Sequence, residues 1–449
     1  VDWVNEDNIA LLTDLYELTM LQAYWREGMS GEAVFSLFVR KLPKNRNYLL
    51  ACGLDDALRF LEELRFSPRS LEYLASRPGF SGEFLDWLGK LRFRGSVYAV
   101  PEGTPVFGDE PLLEVVASLP EAQIAESFLL NQVHFQTLLA SKASRVVAAA
   151  EGRRIVDFGL RRMHGADAGL KSARAFHIAG VDGTSNLLAG RTYGAPVYGT
   201  MAHSYIQAHG DELDAFRKFA ELYPETILLV DTYDTLEGTR NVIRLSEELG
   251  AAFRVQGIRL DSGDLASLAR ESRALLDGAG LGRVSLFASG GLDEDEIARL
   301  VKAAPSIEGF GVGTKMGVSE DAPSLDIAYK LTAYAGQGRL KLSQGKSILP
   351  GRKQIFRYHE AGEAVRDVLA RHDEALSGRP LMRLVMEGGK RLPSQVKKLD
   401  AIREHRAREL ARLPSRLRAL EPAEPPYPVE VSEGLERYRR EVSSRLRSG

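Results

Sequence analysis

The sequence predicts an α/β protein with a parallel sheet or a (β/α) barrel at its centre. Two observations carry this. Between residues 153 and 312, five short apolar runs alternate with helical stretches, at roughly 25–30 residues per unit. Each run ends in polar residues and glycines, the place where a (β/α) barrel keeps its active site. The flanking thirds lack this alternation. The chain therefore divides into an α/β N-terminal domain at 1–140, a barrel-like catalytic domain at 141–335 and a C-terminal α+β extension at 336–449.

The elements follow in order. Residues 10–27 read as a helix, because Leu11, Leu12, Leu15, Leu18, Met20, Leu21 and Tyr24 recur at helical spacing. Residues 33–39 (AVFSLFV) read as a strand, and 53–65, opened by Gly53, as a helix. Over 95–117, Pro101, Gly103, Pro105, Gly108 and Pro111 break the chain into short strands. Residues 121–150 read as one or two helices. The central strands are 153–159 (RRIVDFG), 226–231 (TILLVD), 255–261 (VQGIRLD), 284–289 (VSLFAS) and 307–312 (IEGFGV). Helices are expected over 166–179, 235–249, 264–278 and 293–303. Residues 329–358 carry three strands, YKLTAY, GRLKLS and KQIFRY. An arginine-rich helix over 400–420 is broken by EPAEPPYP at 421–428, and a last amphipathic helix covers 434–447. The arginines there read as a solvated helical face.

Composition narrows the function. The 59 lysines and arginines against 61 aspartates and glutamates give a net charge of −2, so neither a nucleic-acid coat nor a polybasic membrane protein is supported. Cys52 is the single cysteine. It excludes an intramolecular disulfide and a cysteine-rich zinc site, and suits a reducing compartment. The first residues are acidic, without the basic and apolar pattern of a secretory leader. No stretch approaches the ~18 apolar residues of a membrane span. The expectation is a cytoplasmic protein.

Four groups could carry chemistry. FGVGTK (Phe310 to Lys315) and SGG (Ser289 to Gly291) each follow a strand. Their glycines admit a phosphate to the backbone, and free N–H groups with Thr314 and Lys315 can bind its oxygens; the plain alternative is a pair of tight βα turns. Asp231, Asp261 and Asp264 end two strands and could meet Mg²⁺ or sugar hydroxyls, although Asp264 or Ser262 could equally cap a helix. Arg259 is an anion ligand or the ion-pair partner of Asp261. His203 in GTMAHS (Gly199 to Ser204) could be a base, ligand or nucleophile, or a hydrogen-bonded structural residue. Arg161 and Arg162 suit a phosphate or carboxylate, or an interface salt bridge. His134, His164, His177 and His209 show no metal-binding spacing.

These segments resemble nicotinate phosphoribosyltransferase in its bacterial form. LLTDLYELTM, FGLRR, GTMAHS, DTYDT, GIRLDSGDL, GFGVGTK and APSLDIAYKL stand in the family's order, from about residue 9 to about residue 360. The resemblance implies the type II phosphoribosyltransferase fold, an α/β N-terminal domain packed against an irregular (β/α) barrel. It implies transfer of phosphoribosyl from phosphoribosyl pyrophosphate to nicotinate, with ATP hydrolysis coupled and Mg²⁺ present, in NAD biosynthesis and salvage. Such chemistry needs a positioned nucleophile and charge stabilisation more than a base.

Carried over residue by residue, Tyr16 stacks on or borders the pyridine ring, Arg259 binds the nicotinate carboxylate, and Thr200 and Ser204 assist in the pocket. His203 is the phosphorylated histidine. Arg161 meets phosphate or substrate, and Asp231 lies near the ribose or its metal, with Asp261 beside it. Ser289, Gly290, Gly291, Gly311, Gly313 and Thr314 hold the 5′-phosphate. Mg²⁺ is expected through the substrate, with Asp231 or Asp264 as candidate protein ligands. A homodimer with shared sites is implied, with Tyr16 reaching across from the partner chain. The zinc knuckle that some relatives carry near the C-terminus is not expected, since no cysteine stands there. MHGADAGLKSARAF after FGLRR, and residues 360–449, carry no assignable motif. A nicotinamide-using relative would favour an acidic residue in place of Arg259, and a quinolinate enzyme would need more cations. A sugar-phosphate lyase or isomerase would not need GTMAHS, and a non-catalytic binder would be expected to lose Arg259, Asp231 or His203.

Overall fold

A computed structural model describes residues 3–342, 348–393 and 398–448. The chain forms two compact units, Val1–Ser141 together with Ser324–Gly449, and Lys142–Pro323.

The second unit is built on a six-stranded sheet in the order Gly183–Thr184, Arg154–Asp157, Ile307–Val312, Ser285–Ser289, Gly257–Leu260, Ile227–Leu229. Every pairing is parallel. The strands are short and mostly buried, with Ile258, Leu260, Leu286, Ala288, Phe310 and Val312 fully enclosed, as expected of a sheet covered on both faces. Helices Ala166–Ala179, Thr235–Leu249, Leu265–Gly278 and Glu294–Ala303 fall where the hydrophobic period places them. Three of them are capped by aspartates: Asp234 accepts from the Glu237 N–H, Asp264 from those of Ala266 and Ser267, and Asp293 from that of Glu296. Each cap satisfies N–H groups that a helix start leaves orphaned. It also fixes the turn between strand end and helix, so the C-terminal ends of the strands become one ordered rim. The strand Gly183–Thr184 and helices Leu187–Tyr193 and Glu212–Leu222 are additional to the sequence reading. A two-residue strand has too little apolar pattern to show.

The first unit holds an antiparallel sheet around Glu32–Val39, which pairs with Pro111–Ser118 on one side and Ile327–Tyr334 on the other. The last pairing explains a difference from the sequence division. The sequence division places residues 324–335 with the barrel, but Ile327–Tyr334 completes the sheet begun by Glu32–Val39. The segment after residue 336 likewise lies in the unit of the N-terminal residues. Lys353–Glu360 and Glu363–Arg371 pair antiparallel in a second, four-stranded sheet. Of the three strands expected over 329–358, GRLKLS contributes only Gly338, to the short strand Gln337–Gly338, and its Ser343 lies outside the described residues. The expected helix over 400–420 is two, Leu399–Ala411 and Ser415–Arg418, because Pro414 has no N–H to continue it. The N-terminal helix is Leu15–Arg26. It buries Glu17, Leu18 and Leu21 and leaves Tyr16 at 46% exposure.

Candidate active site

The rim of the parallel sheet gathers most of the residues singled out from sequence. Arg259 stands near the end of Gly257–Leu260 with its side chain only 12% exposed. Its Nη2 donates to the Met201 carbonyl at 2.9 Å, and its Nη1 lies 3.9 Å from Oδ1 of Asp261. Its Nε is buried without a partner. Burial pulls this guanidinium below its ordinary value, opposed by Asp261 and Asp231 and aided by Arg161. An arginine still keeps its charge, so a buried cation with an unused donor faces the rim. The Arg259 guanidinium also lies 5.8 Å from the ring of Phe158.

His203 opens the short helix His203–Gln207. Its Nδ1 is 3.2 Å from the Thr232 hydroxyl, and its Nε2 is 3.7 Å from Oδ2 of Asp261. The Thr232 hydroxyl thus holds one ring nitrogen, and a carboxylate stands near the other. Asp231 accepts from the Asp261 N–H at 3.0 Å and from the Ser262 hydroxyl at 2.6 Å, both on Oδ2. Its Oδ1 is buried and unpartnered. Asp261 in turn accepts from the Ser289 hydroxyl. Three strand ends are therefore joined in one network, Asp231 to Ser262, and Asp261 to Ser289.

The two glycine loops are shaped for close approach. Gly290 has φ +93°, and a Cβ there would lie 1.9 Å from the Asp261 carbonyl oxygen. Only glycine fits such a position. A Cβ on Gly311 would stand 2.5 Å from the Phe158 ring, so this glycine makes room for that ring. Gly291, Gly313 and Thr314 complete the loops, with Gly291 and Thr314 exposed. Lys315 is not a free cation: its Nζ donates to Oδ2 of Asp293 at 2.7 Å. Burial alone would raise Asp293, but Lys315 and the Glu296 N–H outweigh it and hold the carboxyl low.

Other candidates are placed differently. Asp264 is a helix cap, its Oδ1 accepting from Ala266 and Ser267 N–H groups. Arg161 is exposed in the 3-10 turn Leu160–Arg162, close enough to act on Arg259 electrostatically. Thr200 is half-buried and Ser204 exposed beside His203. Tyr16 lies in the other unit. Burial and a hydrogen bond to Glu17 raise its phenol. Among the described residues no group of three or more histidines, cysteines, aspartates or glutamates is arranged to hold a metal ion. No helix among them is long and apolar enough to cross a membrane.

The sequence marks Asp157 only as a polar strand end, without a role, and gives no sign of three further contributors, Phe158, Thr232 and Asp293. Asp157 is buried and accepts from the Gly159 N–H and the Thr184 hydroxyl, both at 2.7 Å. Burial pushes it above the usual carboxylate range, against those two donors. It pins the turn that carries Phe158 and Arg161. The signal available was position alone, since each of the four stands at or just after a strand end.

Residues 11–134 match the nicotinate phosphoribosyltransferase (NAPRTase) N-terminal domain, residues 153–368 the NAPRTase family, and residues 374–439 the nicotinate phosphoribosyltransferase C-terminal domain. The chain is 54% identical to nicotinate phosphoribosyltransferase pncB2 of Mycobacterium tuberculosis, over 95% of this chain and 92% of that one. The chain belongs to the nicotinate phosphoribosyltransferase family. The Bacillus subtilis nicotinate phosphoribosyltransferase is 40% identical over 84% of this chain and 79% of its own length. The crystal structure of human nicotinic acid phosphoribosyltransferase superposes with a TM-score of 0.85 at 30% identity, covering 96% of this chain and 99% of that one. Family membership extends through residues 374–439, where the sequence alone offered no motif.

Proposed function

We propose that this chain transfers phosphoribosyl to nicotinate, giving nicotinate mononucleotide and pyrophosphate, with ATP hydrolysis coupled to the step. The reaction breaks the bond from C1′ to the pyrophosphate oxygen and forms the bond from C1′ to the pyridine nitrogen. It belongs to NAD biosynthesis and salvage, in the cytoplasm, a setting the lone buried Cys52 suits. The observation that carries the reading is Arg259, a buried guanidinium with its Nε unpartnered. A carboxylate would satisfy that donor and match the guanidinium fork, whereas a carboxamide offers one oxygen and no charge. The Phe158 ring beside Arg259 offers a flat surface for the pyridine. Tyr16 of a partner chain would cover the other face in a homodimer with shared sites, and Thr200 and Ser204 border the pocket.

The loops Ser289–Gly291 and Gly311–Thr314 would take the 5′-phosphate on their backbone N–H groups. Arg161 would meet the pyrophosphate as it leaves. Asp231, with one oxygen spent on Asp261 and Ser262 and the other free, lies near the ribose, where its charge would favour an oxocarbenium-like state. The same free oxygen fits one coordination position of a Mg²⁺ that arrives with pyrophosphate, since such ions keep few protein ligands. Magnesium would neutralise charge on the departing pyrophosphate. Asp264, spent on its cap, is the weaker of the two candidate ligands.

His203 would accept the γ-phosphoryl of ATP: the P–O bond to ADP breaks and an N–P bond forms, to be hydrolysed later in the cycle. Thr232 and Asp261 orient the ring for that step. The finer fold expectation, an irregular (β/α) barrel, is supported by the six-stranded parallel sheet with its functional residues at one end. Replacing Arg259 by alanine tests the pocket. It should raise the nicotinate KM about 100-fold, by roughly 3 kcal/mol of lost charge-assisted hydrogen bonding, while the KM for phosphoribosyl pyrophosphate moves little. Equal damage to both constants would contradict the assignment.

A further inference from the structure

The opposite end of the parallel sheet holds a cleft of about 740 Å³ that the transfer reaction does not use. Its lining comes from the N-terminal ends of the strands and the residues just before them. In folds of this class that end ordinarily serves stability, while catalysis sits at the other. A packed, stabilising base would leave no cleft within the range typical of ligand sites, about 300–1,000 Å³.

The charges are also unlike a stabilising set. Arg154, Arg254 and Arg283 line the cleft with the carboxylates of Asp182, Glu225 and Glu308. If these groups served only the fold, cations and carboxylates would pair. Among the described residues, none of the three arginines has a carboxylate within 4.0 Å. Arg254 donates Nη1 to the Ala251 and Phe253 carbonyls, and Arg283 donates Nη2 to the Phe253 carbonyl. The Arg154 side chain makes no hydrogen bond to any described residue, and its guanidinium lies 5.7 Å from the Tyr198 ring. Two guanidinium groups are thus propped by backbone, and all three keep unused donors. Of the carboxylates, Asp182 is tied to the Ile155 N–H and Glu225 accepts from Gln256 at 3.3 Å. Between them Ile227 is half-buried, while Val255, Leu286 and Phe287 beneath are almost wholly enclosed.

We propose that this cleft is a second ligand site, for a nucleoside phosphate, with the arginines on its phosphates and the Glu225 and Glu308 carboxylates on its ribose hydroxyls. Guanidinium forks suit phosphate oxygens, and a carboxylate suits a ribose diol. The half-buried Ile227 is the apolar side chain against which a base would rest. A simple anion would leave the carboxylates repelling it, and a simple cation would leave the arginines unused.

Calorimetric titration of the full chain with ADP tests this, using Arg154→Ala, the double variant Arg254→Ala/Arg283→Ala, and His203→Ala. Arg154→Ala removes no hydrogen bond of the fold, so it keeps the test informative if the double variant unfolds. The cleft site should weaken about tenfold or more in Arg154→Ala, while His203→Ala retains it and nicotinate turnover of Arg154→Ala stays as in the wild type. Unchanged ADP binding in both arginine variants would overturn the proposal, as would a loss that occurs only in His203→Ala. Inorganic pyrophosphate binding as tightly as ADP at the arginine-dependent site would overturn the nucleoside assignment. The readout is binding, so a failure of the transferase reading leaves it standing, and the converse also holds.

Discussion

Lys315 donates from Nζ to Oδ2 of Asp293 at 2.7 Å, and the same aspartate accepts from the Glu296 N–H through Oδ1. One carboxylate thus caps the helix after the first glycine loop and holds the lysine of the second. The pair fixes the two loops against each other, and Lys315 is committed before any phosphate arrives.

This gives the first prediction. Asp293→Ala loses both cap and ion pair, and should raise the KM for phosphoribosyl pyrophosphate about tenfold, at roughly 1–2 kcal/mol. Asp293→Asn keeps a competent cap and loses only the charge, so most of that loss should be recovered. Steady-state kinetics of both variants, with nicotinate as the control substrate, provide the check. Equal defects in the two variants would place the effect in the ion pair alone.

His203 gives the second. His203→Ala should abolish the coupling of ATP hydrolysis to product while leaving a slower, ATP-independent transfer. ADP and nicotinate mononucleotide measured in the same reaction would show this as a fall in their ratio. An unchanged ratio would sink the phosphohistidine role.

The glycine loops give a third. Gly290→Ala drives a Cβ into the Asp261 carbonyl, and should cost about 2–4 kcal/mol of stability and most activity. Gly291→Ala meets no atom within 4 Å at φ +66°, and should cost only about 1 kcal/mol for its backbone conformation. Denaturant unfolding of the two variants separates steric from conformational cost.

Glu17 gives a pH prediction. Burial raises its carboxyl to about 7, against the Gln123 and Tyr16 hydrogen bonds and with the help of Glu126 and Asp14. The folded state then holds a proton that the unfolded state has released above the ordinary value of 4.5. Its contribution to stability is therefore greatest at low pH and is lost as pH rises toward 7. Glu17→Gln should stabilise the protein by about 1–2 kcal/mol at pH 8 and by little at pH 5. Thermal unfolding at both values is the measurement, and a benefit confined to pH 5 would reverse the sign.

The strand ends were legible because they carry their own chemistry. The runs ending in Asp231, Asp261 and Ser289 are short, apolar and followed by helix starts, and Thr235–Leu249 has the bounds its period predicts. What stayed hidden is what joins them. Arg259 donates to the carbonyl of Met201, and His203 meets Thr232, each across a separate loop. A backbone carbonyl has no residue type to betray it. Asp264 showed the opposite problem, since a ligand and a cap look alike in sequence and only the Ala266 and Ser267 N–H groups decide. The pairing of Ile327–Tyr334 with Glu32–Val39 spans most of the chain, and local periodicity says nothing about partners that distant.

The central claim is that the buried, unpaired Arg259 donor selects a carboxylate-bearing pyridine. The direct test supplies the purified protein with phosphoribosyl pyrophosphate, Mg²⁺ and ATP, offers nicotinate, nicotinamide or quinolinate in separate reactions, and separates the mononucleotides by chromatography. The account predicts product from nicotinate and none from nicotinamide or quinolinate. Product from nicotinamide at a comparable rate would contradict it.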